Sequence, residues 1–105
     1  MKQLSVLYRR EGKEVLAQLK GSLVALPALN LTSALKSKVN EEDRLIVDLT
    51  KVTEVDTTGL NTLYQTRLSC DVKNSQMILK LTDWHPLRQL LSLTRSERDF
   101  EIQLV

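Results

Sequence analysis

The stretch from Leu45 to Cys70 constrains the fold more than any other part of the sequence. Its first residues, Leu45–Leu49, are apolar apart from Asp48, which is typical of a central strand covered by helices. Its last part has apolar residues at helical spacing, namely Leu60, Leu63, Tyr64 and Leu68. A polar segment that ends in Asp56–Leu60 separates the two parts. The stretch therefore predicts a strand, a loop and a helix, with two adjacent threonine hydroxyls where the helix begins.

The start of this helix favours negative charge, because unpaired backbone N–H groups and the positive end of the helix dipole both lie there. A phosphate group would fit on Thr57 or Thr58. Two interpretations of Thr57 are open: its hydroxyl caps the helix, which adds about 1 kcal/mol of stability, or it is exposed to modification. We expect Thr57 to face solvent and Thr58 to turn inward. Asp56 can cap the helix, place a charge beside the hydroxyl or contact magnesium during phosphoryl transfer, and Gly59 permits close packing or an unusual backbone angle.

The helix face opposite the apolar stripe is polar but almost uncharged. It consists of Asn61, Thr62, Gln65 and Ser69. Such a face is easier to desolvate against another protein than a face of lysine and glutamate. We therefore predict a partner-binding surface at this corner, made of Asp56, Thr57, Thr58, Gly59, Asn61, Thr62 and Gln65.

The N-terminal part of the chain predicts a hairpin and then a helix. Alternating apolar residues on both sides of Glu11–Lys13 indicate two strands, and Gly21 is expected to end the second. Leu23–Leu26 is then an apolar connection, and Pro27 lies where a helix begins. The buried stripe of that helix is predicted at Ala28, Leu31, Leu35 and Val39.

The C-terminal part predicts a strand, a helix and an edge strand. Met77–Leu81 is a short apolar strand, and Asp83 can cap the helix that follows. Trp84 either covers the edge of the core or, if it is exposed near the corner, anchors a partner. His85 is expected to be solvated in the first turn, and Phe100–Leu104 alternates as a final strand.

This order of elements, ββαβαβαβ, indicates an α/β fold with a mixed central β-sheet whose helices are strand crossovers. With 105 residues and no break in composition, we expect residues 1–105 to form a single domain. The net charge of +2 is spread along the chain and interleaved with acids, which argues against a nucleic-acid partner. Cys70 is the only cysteine, which fits a cytoplasmic protein, and no apolar run is long enough for membrane insertion.

We predict no catalytic residue, no metal site and no cofactor. A nucleophile pair of Thr57 and His85 lacks an orienting third group at any recognisable spacing, and Cys70 has no metal-ligating neighbours. The chain is therefore expected to act by binding rather than as an enzyme.

Residues 44–60, with the Asp-Thr-Thr-Gly-Leu corner, resemble STAS domains, the sulfate-transporter and anti-sigma-factor-antagonist family, in which the corner usually reads Asp-Ser/Thr-Ser/Thr-Gly-Leu. Gly21–Leu23 is similar to the family's Gly-Glu-Leu-Asp turn, and Thr82–Leu93 is similar to its late helix. Nearly all of the chain therefore aligns in order, and the resemblance implies a single-domain STAS-like fold.

The antagonist branch of this family implies a phosphoprotein that takes part in bacterial transcription regulation and signalling. The hydroxyl directly after the corner aspartate is phosphorylated there by a partner that is both an anti-sigma factor and an ATP-dependent protein kinase. Here that residue is Thr57, with Thr58 as second choice; the unmodified form would bind the partner and the phosphorylated form would release it. Ser22 and Val24 replace the family's turn acids and are added to the expected partner-binding residues. Asn61 replaces a glycine that often follows the motif.

The resemblance also implies an alternative. STAS domains with a similar corner dock on the ATPase of lipid-transporting ABC complexes, where the corner threonine serves packing and assembly. The second hydroxyl, Thr58, favours the antagonist. A third interpretation is a scaffold subunit of a large signalling assembly, for which an additional N-terminal sensory domain would be expected. In each case we expect a monomer or weak dimer.

Overall fold

The computed structural model describes residues 3–105, which form one five-stranded sheet and the helices that pack on it. The strands are β1 (Leu4–Glu11), β2 (Glu14–Leu23), β3 (Arg44–Val55), β4 (Gln76–Leu81) and β5 (Glu101–Leu104). The helices are α1 (Ala25–Leu29), α2 (Leu31–Lys38), α3 (Thr57–Val72) and α4 (Pro86–Leu93), with a 3-10 turn at Glu97–Asp99. Strands follow one another across the sheet in chain order; β1 and β2 are antiparallel and the other pairs are parallel. The predicted α/β fold with a mixed sheet is confirmed.

All helices lie on one face of the sheet. Each parallel crossover moves one strand further in the same direction, and right-handed connections then place every helix on the same side. The core between the two layers includes the fully buried Ala17, Leu35, Leu45, Val47, Leu63, Leu79, Leu87 and Leu91. Val6 and Tyr8 of β1 pack against this core, so Leu7 between them points to the other face, where it is 69% exposed.

The hairpin turn lies where the sequence predicts it, and an ion pair holds the hairpin to the rest of the fold. Glu11 pairs with Glu14 across a two-residue loop, and Gly12 has a positive φ of 62° that glycine adopts without strain. Arg10 donates to both carboxylate oxygens of the buried Asp43, at 3.2 and 2.7 Å. The hydrogen bonds from Arg10 lower the pKa of the Asp43 carboxyl.

Strand β3 is longer than predicted. The expected loop after Leu49 is strand as far as Val55, because pairing with β2 continues from Lys51 to Val55 after the pairing with β4 has ended at Asp48. Two register shifts in the β2–β3 ladder accommodate the extra residues of β3. Strand β2 likewise continues past Gly21, the predicted end.

The predicted helix after β2 is two short helices. The segment expected to be an apolar connection is instead the end of β2 and the start of α1, so helix begins two residues before Pro27, and Asn30 separates α1 from α2. The predicted buried stripe is confirmed at all four positions, which are Ala28, Leu31, Leu35 and Val39.

Helix α4 is capped by His85, not by Asp83, and His85 is buried rather than solvated. The ring atom Nδ1 accepts a hydrogen bond from the Leu87 backbone N–H at 3.0 Å, and Nε2 lies 2.6 Å from the Leu49 carbonyl oxygen. A neutral imidazole with its proton on Nε2 satisfies both contacts. Asp83 pairs with Arg88 instead. The sequence did not reveal this role because Leu49 is far from His85 along the chain.

We predict that His85 makes the stability of the fold decrease as the pH falls below 6.5. Burial lowers the pKa of His85 below its ordinary 6.5. As the pH falls, the unfolded chain therefore binds a proton at His85 before the folded protein does. The contribution of His85 to stability is complete above pH 6.5 and is lost as the pH falls through the pKa of His85 in the folded protein. His85 is the only histidine in the sequence. Urea unfolding should give a free energy that falls between pH 7 and 5 in the wild type.

The control is His85→Asn, which retains a capping side chain but cannot titrate. This variant should be less stable at pH 7 and should show a flat stability profile from pH 7 to 5. Asp43 does not interfere, because its lowered pKa affects stability only below its ordinary value of 3.8. An equal slope in both proteins would contradict the assignment.

Candidate functional site

The corner between β3 and α3 consists of a single residue, Asp56, in an extended conformation. Its Oδ1 accepts a hydrogen bond from the Gly59 N–H at 2.9 Å, which caps α3. Its Oδ2 accepts from the Ala25 N–H at 3.2 Å, which ties the corner to the first residue of α1. Of the three roles left open for Asp56, the structure therefore shows capping, and both carboxylate oxygens already have a donor.

Thr57 is the first residue of α3 and its side chain is exposed, whereas Thr58 is half-buried. Because Asp56 is the cap, the capping interpretation of Thr57 is wrong. Within residues 3–105, the Thr57 hydroxyl has no hydrogen-bond partner. The structure thus presents one hydroxyl to solvent at the positive end of a helix of 16 residues.

Gly59 is buried and lies against the end of β2. A Cβ atom at this position would be 2.1 Å from the Leu23 carbonyl oxygen and 2.9 Å from Leu23 Cγ. Helix α3 can approach β2 this closely only because residue 59 has no side chain. Of the two roles left open for Gly59, the structure shows close packing, and the residue is not accessible to a partner.

The solvent-facing stripe of α3 includes Asn61 and Gln65 from the predicted binding residues, but it does not include Thr62. Asn61 and Gln65 are exposed on the same side as Thr57. Thr62 is buried, which corrects its placement on the partner face; its hydroxyl donates to the Ala28 carbonyl oxygen at 3.0 Å. The stripe continues instead through Leu68, which was predicted to be buried and is exposed.

The buried face of α3 is rotated from the predicted one because α1 and α2 pack along its side. Besides two leucines, that face consists of small residues at spacings of three and four, which are Gly59, Thr62, Thr66 and Cys70. Threonine hydroxyls on this face bond to backbone carbonyls, so they can be buried without cost to hydrogen bonding. The spacing of small residues is the signal that could have revealed this packing.

Comparison with known proteins places the chain in a family. The family model of the STAS domain matches residues 6–104. The chain belongs to the STAS domain family. Its fold is similar to that of an anti-sigma factor antagonist from Mycobacterium paratuberculosis, with a TM-score of 0.81 and 16% identity over 98% of this chain and 87% of that one. It is also similar to an anti-sigma factor antagonist STAS domain from Rhodobacter sphaeroides, with a TM-score of 0.62 and 11% identity over 83% of this chain and 90% of that one. No curated protein sequence matches the chain significantly.

The turn before α1 of this STAS domain does not present Ser22 to a partner, in contrast to the prediction from the sequence. Ser22 is buried, and its hydroxyl donates to Glu54 Oε1 at 2.7 Å, so Ser22 cannot contact a partner directly. Val24 is half-buried and precedes α1. Both positions lie within β2 or next to it because β2 continues to Leu23.

Helix α1 contributes exposed apolar residues that sequence reasoning missed. Leu26 is 75% exposed and Leu29 is 61% exposed, beside the buried Ala28. Their separation by three residues was a signal of a second apolar face on a short helix. Trp84, in the connection between β4 and α4, is 87% exposed, so it does not cover the core.

The described part of this STAS domain shows neither of two other kinds of site. Among residues 3–105, no three histidine, cysteine or acidic residues are grouped so that they could hold a metal ion. Over the same residues, no helix combines the length and apolar character that a membrane span requires.

We predict that Gly59→Ala destabilises the domain by about 1–3 kcal/mol, as overpacking in a core does. Alanine is the better helix former, so the sign of the effect tests whether the contact with the Leu23 carbonyl dominates. Gln65→Ala, an exposed position on the same helix, is the matched control and should change stability by less than about 0.5 kcal/mol. The measurement is urea unfolding. A stabilising effect of Gly59→Ala would contradict the close approach.

Proposed function

We propose that this STAS domain is an anti-sigma factor antagonist that is switched by phosphorylation of Thr57. In this proposal the unmodified domain binds an anti-sigma factor that is also a protein kinase, and the phosphorylated domain is released. The observation that carries the proposal is the exposed hydroxyl of Thr57 at the first position of α3, which has no hydrogen-bond partner among residues 3–105. Two structures with a similar fold bear the name anti-sigma factor antagonist, which is consistent with this role.

Exposure favours Thr57 over Thr58 as the phosphate acceptor. Phosphoryl transfer needs the attacking oxygen in line with the leaving group of ATP, so the hydroxyl must enter the partner's nucleotide site. Thr58 is half-buried and would have to leave the helix to do so. Asp56 is a poor candidate for magnesium binding, because both of its carboxylate oxygens are directed at N–H groups of the domain, those of Gly59 and Ala25.

The proposed switch is electrostatic. A phosphate adds a charge of about −1.5 to −2 and three acceptor oxygens, next to the carboxylate of Asp56. The N-terminal N–H groups of α3 offset part of this charge, so the domain itself should remain folded. A partner that covers Thr57 would bury the phosphate without a matching cation on this domain, and a loss of about 2.8 kcal/mol already weakens binding a hundredfold.

Binding is favoured over catalysis by the state of His85. Both of its ring nitrogens are occupied, by the Leu87 N–H and the Leu49 carbonyl, so it cannot serve Thr57 as a general base. We therefore propose that the domain has no enzymatic activity, no cofactor and no nucleic-acid partner. We also propose that residues 1–105 act as one cytoplasmic domain, a monomer or weak dimer, in which Cys70 stays a buried free thiol.

A second candidate function is a permanent subunit docked on the ATPase of an ABC transporter. The observation that favours it is the amount of exposed apolar surface, since permanent interfaces are more hydrophobic than transient ones. The exposed residues on the helical side include Leu26, Leu29, Leu68 and Val72. Stable copurification with such an ATPase, without phosphate on the domain, would support this candidate over the antagonist.

We predict that the domain gains one phosphate when it is incubated with ATP and a lysate of its source cells. Thr57→Ala should abolish this gain, and Thr58→Ala should retain it because its neighbour is still exposed. The measurement is intact mass followed by peptide mapping. A phosphate that persists in Thr57→Ala would show that the acceptor is another residue.

We further predict that Thr57→Glu weakens binding of the isolated partner by about a hundredfold, the effect of a charge placed in the interface. Thr57→Gln, which has the same shape without the charge, is the control and should bind at least ten times more tightly than Thr57→Glu. Binding is measured by titration calorimetry. Equal affinities of the glutamate variant and the wild type would rule out the electrostatic switch.

A further inference from the structure

Helix α1 is fixed beside the phosphorylation corner by contacts to the first two turns of α3. Asp56 Oδ2 accepts from the Ala25 N–H at 3.2 Å, and the Thr62 hydroxyl donates to the Ala28 carbonyl oxygen at 3.0 Å. Gly59 brings α3 against Leu23, the residue that ends β2 shortly before α1. The corner and α1 are therefore held next to each other by direct contacts.

The outer side of α1 is apolar and unusually exposed. Leu26 follows Ala25 directly and is 75% exposed, and Leu29 is 61% exposed. No residue of α1 is charged. The neighbouring exposed residues of α3, Asn61 and Gln65, are uncharged as well. Large exposed leucines beside an uncharged stripe are typical of a surface that another protein covers.

Building on the proposed function, we infer that Leu26 and Leu29 are the apolar anchors by which the kinase that phosphorylates Thr57 holds this domain. A kinase that reaches the Thr57 hydroxyl must cover the surface around it. A standard interface covers about 800 Å² on each partner, which corresponds to a radius of roughly 16 Å. Leu26 is adjacent to a residue that is hydrogen-bonded to Asp56, the neighbour of Thr57, so it falls within that radius. The occupant is thus a protein with an apolar recess next to its nucleotide site.

In this arrangement, one set of groups determines how tightly the partner binds and another determines whether it is released. The domain offers the partner little free charge at the turn, because Ser22 is buried, Val24 is apolar and the carboxylate of Asp56 is bonded within the domain. Affinity then comes from burial of the leucines, which depends weakly on salt. The phosphate on Thr57 weakens the same interface through its charge, and it does not change the apolar contacts of the leucines.

Trp84 is the strongest rival anchor, because it is 87% exposed and aromatic residues dominate binding energy in many interfaces. It lies in a different connection, the one between β4 and α4. His85 holds the start of α4 to β3 at Leu49, before β3 continues to the corner. In the part of the chain that the structure describes, Trp84 has no hydrogen-bonded link to the corner like the links of α1.

The test measures the initial rate of phosphate incorporation at Thr57 as a function of domain concentration, with ATP and the kinase activity of a source-cell lysate. Leu26→Ala and Leu29→Ala should each raise the apparent KM by about tenfold, the effect of losing most of a buried leucine contact. The maximal rate should not change, because neither residue touches the reacting atoms. Leu7→Ala, 69% exposed on the opposite face of the sheet, is the matched control and should leave KM unchanged. Circular dichroism checks that each variant is folded.

Two results with variants would overturn the inference, and so would one result with the wild-type domain. One is a wild-type KM for both α1 variants, and the other is a raised KM for Trp84→Ala in place of Leu26→Ala. A KM that rises steeply between 50 and 500 mM salt would also contradict apolar anchoring. The failure of the proposed function looks different: the wild-type domain then gains no phosphate at Thr57, and the inference falls with it.

Discussion

The close approach of α3 to the end of β2 is the constraint on which the functional surface depends. Gly59 allows α3 to contact the Leu23 carbonyl. The two carboxylate oxygens of Asp56 then accept hydrogen bonds from one N–H group in α3 and one in α1. These contacts set where α3 begins and hold α1 next to it. The exposed hydroxyl of Thr57 is a consequence, because the residue before it already provides the cap.

The same constraint explains why several polar residues predicted to bind a partner are used within the domain instead. Asp56 and Gly59 are used within the domain, and so are Ser22 and Thr62, whose hydroxyls bond to a side chain and to the backbone. What remains for a partner is a hydroxyl, two amides and several leucines. In the proposed function, such a surface binds its partner through apolar burial and is switched by the addition of one phosphate group.

Periodicity predicted much of the fold because each prediction depended on neighbouring residues. The stripe of Ala28, Leu31, Leu35 and Val39 is buried as expected, even though Asn30 divides the helix. Predictions were wrong where an element distant in the sequence determined whether a side chain is buried. Thr62 is buried and Leu68 is exposed, the reverse of the prediction, because α1 and α2 flank α3. His85 is buried because Leu49 of β3 supplies a carbonyl oxygen to it. No local pattern contains those partners.

The sequence by itself determined the α/β class, the order of strands and helices, and the position of the Asp-Thr-Thr-Gly-Leu corner at a helix start, because hydrophobic spacing and capping chemistry are local properties. Only the tertiary structure decided which residues of that corner face solvent. Exposure depends on which element packs against each side chain: the end of β2 buries Gly59 and α1 buries Thr62, while Thr57 and Leu26 remain exposed.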